Sequence, residues 1–129
     1  MRQIHAILIA SLMTVCMMLS TNSVMASNWY YVGSSDNGDT SIFIDNDSVI
    51  KNSQRAIIWE KYVLADGSYS LDRVYYTHTP KTFTLLAFRQ YNADGSVKIA
   101  YDIPSYEQET SSITPDSVAE SIWYYIWSR

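Results

Sequence analysis

The chain has 129 residues, with nine lysines and arginines against thirteen aspartates and glutamates, and a formal net charge of −4 at pH 7. That is enough chain for one domain with one core. The acidic balance argues against nucleic acid or an anionic membrane surface as the main partner, since both select basic patches.

The opening stretch, MRQIHAILIASLMTVCMMLSTNSVMA, has a basic start at Arg2, an apolar run from Ala6 to Leu19 and a small-residue exit at Val24-Met25-Ala26. This is the pattern of a secretory signal cleaved after Ala26. The apolar run is interrupted by Ser11, Thr14 and Ser20 and falls short of the roughly 20 residues a membrane span needs. Residues 1–26 are therefore expected to be a leader and 27–129 a single exported domain, bound for the periplasm, the outer surface or the medium. Cys16 and every methionine lie in the leader. With no thiol left after cleavage, the domain cannot use the disulfides on which small exported domains often lean, and its stability has to come from packing and sheet hydrogen bonds.

Beyond the leader the chain reads as short strands. NWYYV (Asn28 to Val32) and TSIFID (Thr40 to Asp45) flank a polar Gly-Ser-Ser-Asp-Asn-Gly-Asp segment. Asp45-Asn46-Asp47-Ser48 could open a calcium loop of the EF-hand type, which wants an oxygen ligand at its fifth position, glycine at its sixth and glutamate at its twelfth. Val49, Ile50 and Ala56 stand there instead. The segment is expected to be a bend in which Asp and Asn side chains bond their own backbone, after which Val49 and Ile50 turn back into the core.

QRAIIWEKYVL (Gln54 to Leu64) and YSLDRVYYTH (Tyr69 to His78) enclose Asp66-Gly67, and TFTLLAFRQY (Thr82 to Tyr91) is followed by Asp94-Gly95. Asp-Gly between apolar runs is a strong hairpin signal. Val97, Ile99, Tyr101 and Ile103 then alternate with Lys98, Ala100 and Asp102, the period of a half-buried strand. From Thr114 the period changes. Thr114 is expected to cap a helix, Pro115 to take its first position and Asp116 to face the helix dipole, with Val118, Ile122 and Ile126 forming an apolar stripe. The expected fold is α+β: a single curved antiparallel meander of about six strands with one C-terminal helix packed on it. One helix covers about half of one face, so the remaining surface must curl, pair with another chain or stay exposed.

Catalytic signals are weak. His78 is the one histidine after the leader, which excludes a zinc site of the usual His/Cys type and leaves a histidine-dependent hydrolase a single residue to rest on. No serine stands in a G-x-S-x-G elbow. Glu107 and Glu109 are a carboxylate pair in what reads as a solvated loop. No enzyme, metal or cofactor is expected.

All eleven tyrosines, four tryptophans and three phenylalanines follow the leader. Neighbours such as Tyr75-Tyr76 point to opposite faces of a strand. These rings either brace a disulfide-free sheet through cross-strand pairs or present an aromatic face to a protein or glycan. For the second role the candidate contact residues are Tyr75, Tyr76, Tyr101 and Tyr106, together with the loop from Tyr101 to Ile113.

The order NWYYVG, IFIDNDSVI, AIIWEKYV, YNADGSV and ITPDSVAESIWYYIW resembles the bacterial surface-adhesin protein E family over nearly the whole mature chain. The more specific parts are the D-x-x-S-V bend, Trp59, and the helix start from Pro115 to Glu120. The resemblance implies a six-stranded antiparallel sheet with a C-terminal helix, binding to host matrix proteins such as vitronectin and laminin, and possible homodimers. Haem binding is also described there, but only His78 or a tyrosine could supply an axial ligand, and no site is carried over. Members with a disulfide join a mid-chain strand to the helix end, where this chain has Tyr75-Tyr76-Thr77-His78 and Ile126-Trp127-Ser128. Aromatic packing is expected to replace that cross-link. The resulting expectation is a non-catalytic envelope or surface binding protein. The alternative is a periplasmic inhibitor or escort of an envelope enzyme.

Overall fold

The structure, a computed structural model, describes residues 28–128. The expected leader and its cleavage point lie outside the described residues. Eight strands are present: β1 (Trp29–Ser34), β2 (Thr40–Asp45), β3 (Ile50–Lys51), β4 (Arg55–Leu64), β5 (Tyr69–Thr77), β6 (Thr82–Tyr91), β7 (Val97–Asp102) and β8 (Thr110–Ser112). A 3₁₀ turn at Ser105–Glu107 precedes β8, and one helix, α1 (Val118–Trp127), closes the fold. All pairings are antiparallel, in the order β1-β2-β4-β5-β6-β7. The expected meander of six long strands is therefore present as an open sheet. β3 and β8 are additions: β3 pairs with Ala56 and Ile57 of β4, and β8 with Thr82 to Thr84 of β6. Two or three residues are too few to show an alternation in sequence.

Alternation assigns the two faces. Ile42 and Ile44 of β2, Ala56 and Ile58 of β4, and Val74 and Tyr76 of β5 are buried against Ile113 and against Ile122, Trp123 and Ile126 of α1. Ile44, Ile58 and Ile122 have no exposed surface, and each such side chain stabilises the fold by about 2–3 kcal/mol relative to exposure.

The Asp45 segment is the expected bend. Asp45 Oδ1 accepts the backbone N–H of Asp47 at 3.1 Å and that of Asn28 at 3.0 Å, so the carboxylate stops β2 and ties down the start of β1. Val49 packs on the core as expected, but Ile50 does not: it is 66% exposed. Its backbone is taken by the short ladder to Ile57, and that pairing turns its side chain outward.

Both Asp-Gly hairpins share one construction. The N–H of Gly67 bonds the carbonyl of Leu64, that of Leu64 the carbonyl of Ser68, and Gly95, Asn92 and Ser96 repeat the set. Gly67 and Gly95 hold φ of 87° and 88°, the left-handed conformation that closes a three-residue hairpin loop and favours glycine.

The helix starts three residues later than its sequence suggested. Pro115 and Asp116 form a turn, and the cap is Ser117, whose Oγ accepts the N–H of Glu120 at 3.2 Å. Glu120 Oε1 in return accepts the N–H of Asp116 at 3.1 Å. This reciprocal arrangement is close to the S-x-x-E capping box, which outcompetes a lone threonine three residues upstream.

Aromatic packing holds the helix end to the sheet. His78 stacks on Trp123 at 4.8 Å and meets the edge of Trp127 at 5.2 Å. The indole N–H of Trp123 donates to the carbonyl of Thr77 and that of Trp127 to the carbonyl of Asn52, each at 3.0 Å. Lys51 Nζ adds a bond to the carbonyl of Ile126 at 2.6 Å, placing a cation at the negative end of the helix. His78 is thus a packing residue just past the end of β5.

The helix-free face of the sheet as a candidate binding surface

Helix α1 covers one face of the sheet. The opposite face, which no described element covers, carries the alternate residues of each strand: Trp29 on β1, Phe43 on β2, Trp59 and Lys61 on β4, Tyr69 to Tyr75 by twos on β5, and Arg89 and Tyr91 on β6. Most of these side chains are half-buried, because neighbouring rings and stems shield one another across strands. Tyr69 stacks on Tyr91 at 4.7 Å, and Lys61 Nζ lies over the rings of Trp29 and Tyr69 at 5.4 and 4.7 Å. An ammonium between two ring faces is attracted to both while its stem covers apolar surface.

The four tryptophans divide by face. Trp123 and Trp127, on the helix, satisfy their indole N–H groups with backbone carbonyls. The indole N–H groups of Trp29 and Trp59, on the open face, have no hydrogen-bond partner among the described residues. They wall a hollow of about 370 Å³, which Asp45, Ser48, Leu71, Arg89 and Tyr91 complete. A second hollow shares Trp59 and Arg89 with the first and is bordered by Arg73, Ala87, Asp102 and Gln108. The small side chain of Ala87, facing Arg73 across the β5–β6 ladder, leaves room there.

The polar groups around these hollows are incompletely paired. Asp45 is buried, and while its Oδ1 takes two backbone donors, its Oδ2 takes none among the described residues. Ser48 Oγ is the one buried side-chain polar atom among the described residues without a partner. The side chain of Arg73, opposite Trp59 in the β4–β5 register, forms no ion pair or hydrogen bond with a described residue. Arg89 is held more firmly: one nitrogen meets Asp102 Oδ1 at 2.6 Å and another donates to the carbonyls of Phe88 and Tyr101 at 3.0 and 3.2 Å. Such a mixture of apolar walls and a few convergent polar groups is the general composition of a small-molecule site.

A different polar cluster lies on the helix side. Glu60 is 2% exposed and accepts the hydroxyls of Tyr62 at 2.6 Å and Tyr76 at 2.5 Å. Burial drives its pKa up from 4.5 to about 7, against the pull of both hydroxyls. Asp72, opposite it in the ladder, is raised by burial to about 6. The tyrosine hydroxyls are themselves held far above their ordinary range, first by burial and then by the charge of Glu60. Both oxygens of Glu60 are occupied by tyrosine hydroxyls within the core. Among the described residues no three His, Cys, Asp or Glu side chains come close enough to hold a metal ion, and no helix is long and apolar enough to cross a membrane.

The tyrosines singled out from sequence do not converge. Tyr75 lies on the helix-free face. Tyr76 is 1% exposed and bonded to Glu60; its side chain points the other way along the same strand and offers no contact surface. Tyr101, on the helix side of β7, donates to Glu107 Oε2 at 2.5 Å, and Tyr106, in the 3₁₀ turn, is 85% exposed. Glu107 and Glu109 are exposed, as a solvated loop requires. Sequence reasoning missed Trp29, Trp59, Arg73 and Arg89. The available signal was parity: once Ile58 is set facing the helix, Trp59 and Lys61 must face away, and the antiparallel register carries Arg73 to the same side. Comparison of the chain with protein-family models, with curated proteins and with solved structures finds no match.

Proposed function

We propose that this chain is an exported, non-catalytic binding module that meets its partner with the helix-free face of its sheet. The carrying observation is the division of the tryptophans: two are spent on fixing the helix, and two stand on the open face with free indole donors beside an arginine that has no counter-ion. Tryptophan and arginine are the side chains most enriched among residues that dominate binding energy. The resemblance to protein E adhesins supports the same class of activity and makes host matrix proteins a first partner to assay; an envelope enzyme that the module inhibits or escorts is the alternative. The test is photo-cross-linking in intact cells from a benzoylphenylalanine placed at Tyr75, on this face, and in parallel at Tyr106, outside it. Adducts from Tyr75 alone support the reading; adducts from Tyr106 alone overturn it.

The reading extends to a second copy of the chain. No described strand pairs with the outer edge of β7. The N–H of Ile103 bonds the carbonyl of Leu86 at 2.9 Å, so by the antiparallel alternation Ile99 and Tyr101 aim their backbones at β6, while Lys98, Ala100 and Asp102 aim theirs outward. Self-pairing about Ala100 sets each outward residue against an outward residue. It also places Lys98 opposite Asp102 and Ile99 opposite Tyr101 of the second copy, which is complementary in charge on one face and in apolarity on the other.

A further inference from the structure

We infer that the Trp29–Trp59 hollow and its Arg73 extension form a subsite for an acidic saccharide, one carrying a carboxylate or sulfate. This rests on the helix-free face being the contact surface and names the chemistry of its ligand. A pyranose has an apolar C–H face and a rim of hydroxyls that both donate and accept. The hollow matches both properties. Trp29, Trp59 and Tyr91 supply ring surface, and the polar groups among them are of both kinds: Asp45 Oδ2 accepts, the indole N–H groups donate, and the unpartnered Ser48 Oγ can do either.

Charge decides between saccharide classes. On a net acidic chain, Lys61, Arg73 and Arg89 gather on this one face against Asp45 and Asp102; Asp102 pairs with Arg89, and the Arg73 side chain has no ion-pair partner among the described residues. A guanidinium fork matches a carboxylate or sulfate in two parallel hydrogen bonds. The hollow that Arg73 borders shares Trp59 and Arg89 with the stacking hollow, so a sugar on the indoles can place an acidic substituent, its own or that of the adjoining ring, at the arginine. Asp45 favours a saccharide over an acidic peptide as the occupant. Its carboxylate, in the hollow itself, accepts from sugar hydroxyls, which a glutamate or aspartate side chain lacks, and the acidic group of either occupant has to lie at Arg73, in the adjoining hollow.

The test is titration of the full mature chain with a hyaluronan tetrasaccharide, with neutral chitotetraose and with hexaglutamate, read by calorimetry and by tryptophan fluorescence. The expected result is binding of the uronate saccharide that exceeds the neutral one by about tenfold, the scale of one charge-assisted contact, with hexaglutamate weakest. Arg73→Gln should abolish the preference for the acid while leaving neutral binding; Trp59→Ala should weaken both sugars by about tenfold or more, as loss of a central aromatic anchor does. Circular dichroism and urea unfolding show whether each variant is folded, and Trp59→Phe replaces Trp59→Ala if it is not. Hexaglutamate as the tightest ligand, with Arg73→Gln weakening it, would overturn the saccharide assignment while sparing the contact face. No binding of either sugar, or sugar binding indifferent to Trp59 and Arg73 alike, would overturn the subsite, and the cross-linking at Tyr75 then decides separately whether the face is a contact surface.

Discussion

The hydroxyl of Tyr76 lies 2.5 Å from Glu60 Oε2 in the interior of the fold, on a strand whose preceding residue, Tyr75, looks out from the opposite face. A carboxyl so placed makes stability depend on pH. In the folded chain Glu60 keeps its proton up to about pH 7, whereas in the unfolded chain it loses it near 4.5. Between those values the folded state binds more protons, so stability falls as pH rises. The contribution is complete below about pH 4.5, declines through the window and is gone above about pH 7. It amounts to roughly 3 kcal/mol by the usual conversion. Asp72 acts in the same direction up to about pH 6. Asp66 and Asp94, whose pKa values are lowered by the Ser68 and Ser96 hydroxyls and backbone N–H groups, act only at lower pH. Urea unfolding from pH 4.5 to 8 should therefore show falling stability, and Glu60→Gln should remove most of the slope. A slope unchanged in that variant would place the proton uptake elsewhere.

The two classes of tryptophan separate in a stability experiment. Trp123→Ala removes a buried ring from the core and breaks the contact with His78 and the bond to Thr77, and is expected to cost about 3–5 kcal/mol. Trp123→Phe keeps most of the packing and loses the indole bond, at about 1–2 kcal/mol. Trp59→Phe, on the open face, should change stability by no more than about 0.5 kcal/mol. Comparable losses at Trp59 and Trp123 would mean that both are structural, and the proposed contact face would lose its main support.

Removing the helix cap isolates a smaller effect. Ser117→Ala leaves the N–H of Glu120 without its acceptor at 3.2 Å and should cost about 1 kcal/mol. Thr114→Ala, at the residue that sequence reading favoured, should cost nothing measurable because Thr114 is exposed outside the helix. A thermal melt of each variant decides between the two caps.

What the sequence disclosed, and what it hid, follows from range. The hairpins were legible because Asp66-Gly67 and Asp94-Gly95 demand a left-handed residue locally, and the bend at Asp45 because its side chain reaches its own backbone. The helix start is ambiguous in sequence because Thr114 and Ser117 can both cap, and Ser117 wins through Glu120, three positions on, which bonds back to Asp116. Tyr76 reads as a contact residue from sequence because what buries it, the core residues of α1, and what bonds it, Glu60 on the neighbouring strand, are far from it in the chain. The open face was hidden for the same reason: Trp29, Trp59, Arg73 and Arg89 are far apart in the chain, and only register and parity bring them to one side.

Ala100 lets self-pairing through β7 be tested without dismantling the sheet. Its backbone points away from β6, so Ala100→Pro removes an outward N–H and spares the inner ladder made by Ile99 and Tyr101. If two copies join about Ala100, the substitution deletes both bonds at the two-fold axis and blocks close approach of the second strand, and sedimentation should show the dimer weakened at least tenfold, the effect of about 1.4 kcal/mol. Lys98→Glu should weaken it in a salt-dependent manner, because it sets like charges opposite each other at Asp102 of the second copy. The Arg89–Asp102 pair within each copy, at 2.6 Å, leaves that carboxylate a second oxygen for the lysine. A wild-type chain that sediments as a monomer at high micromolar concentration would exclude the arrangement, as would a dimer unaffected by Ala100→Pro.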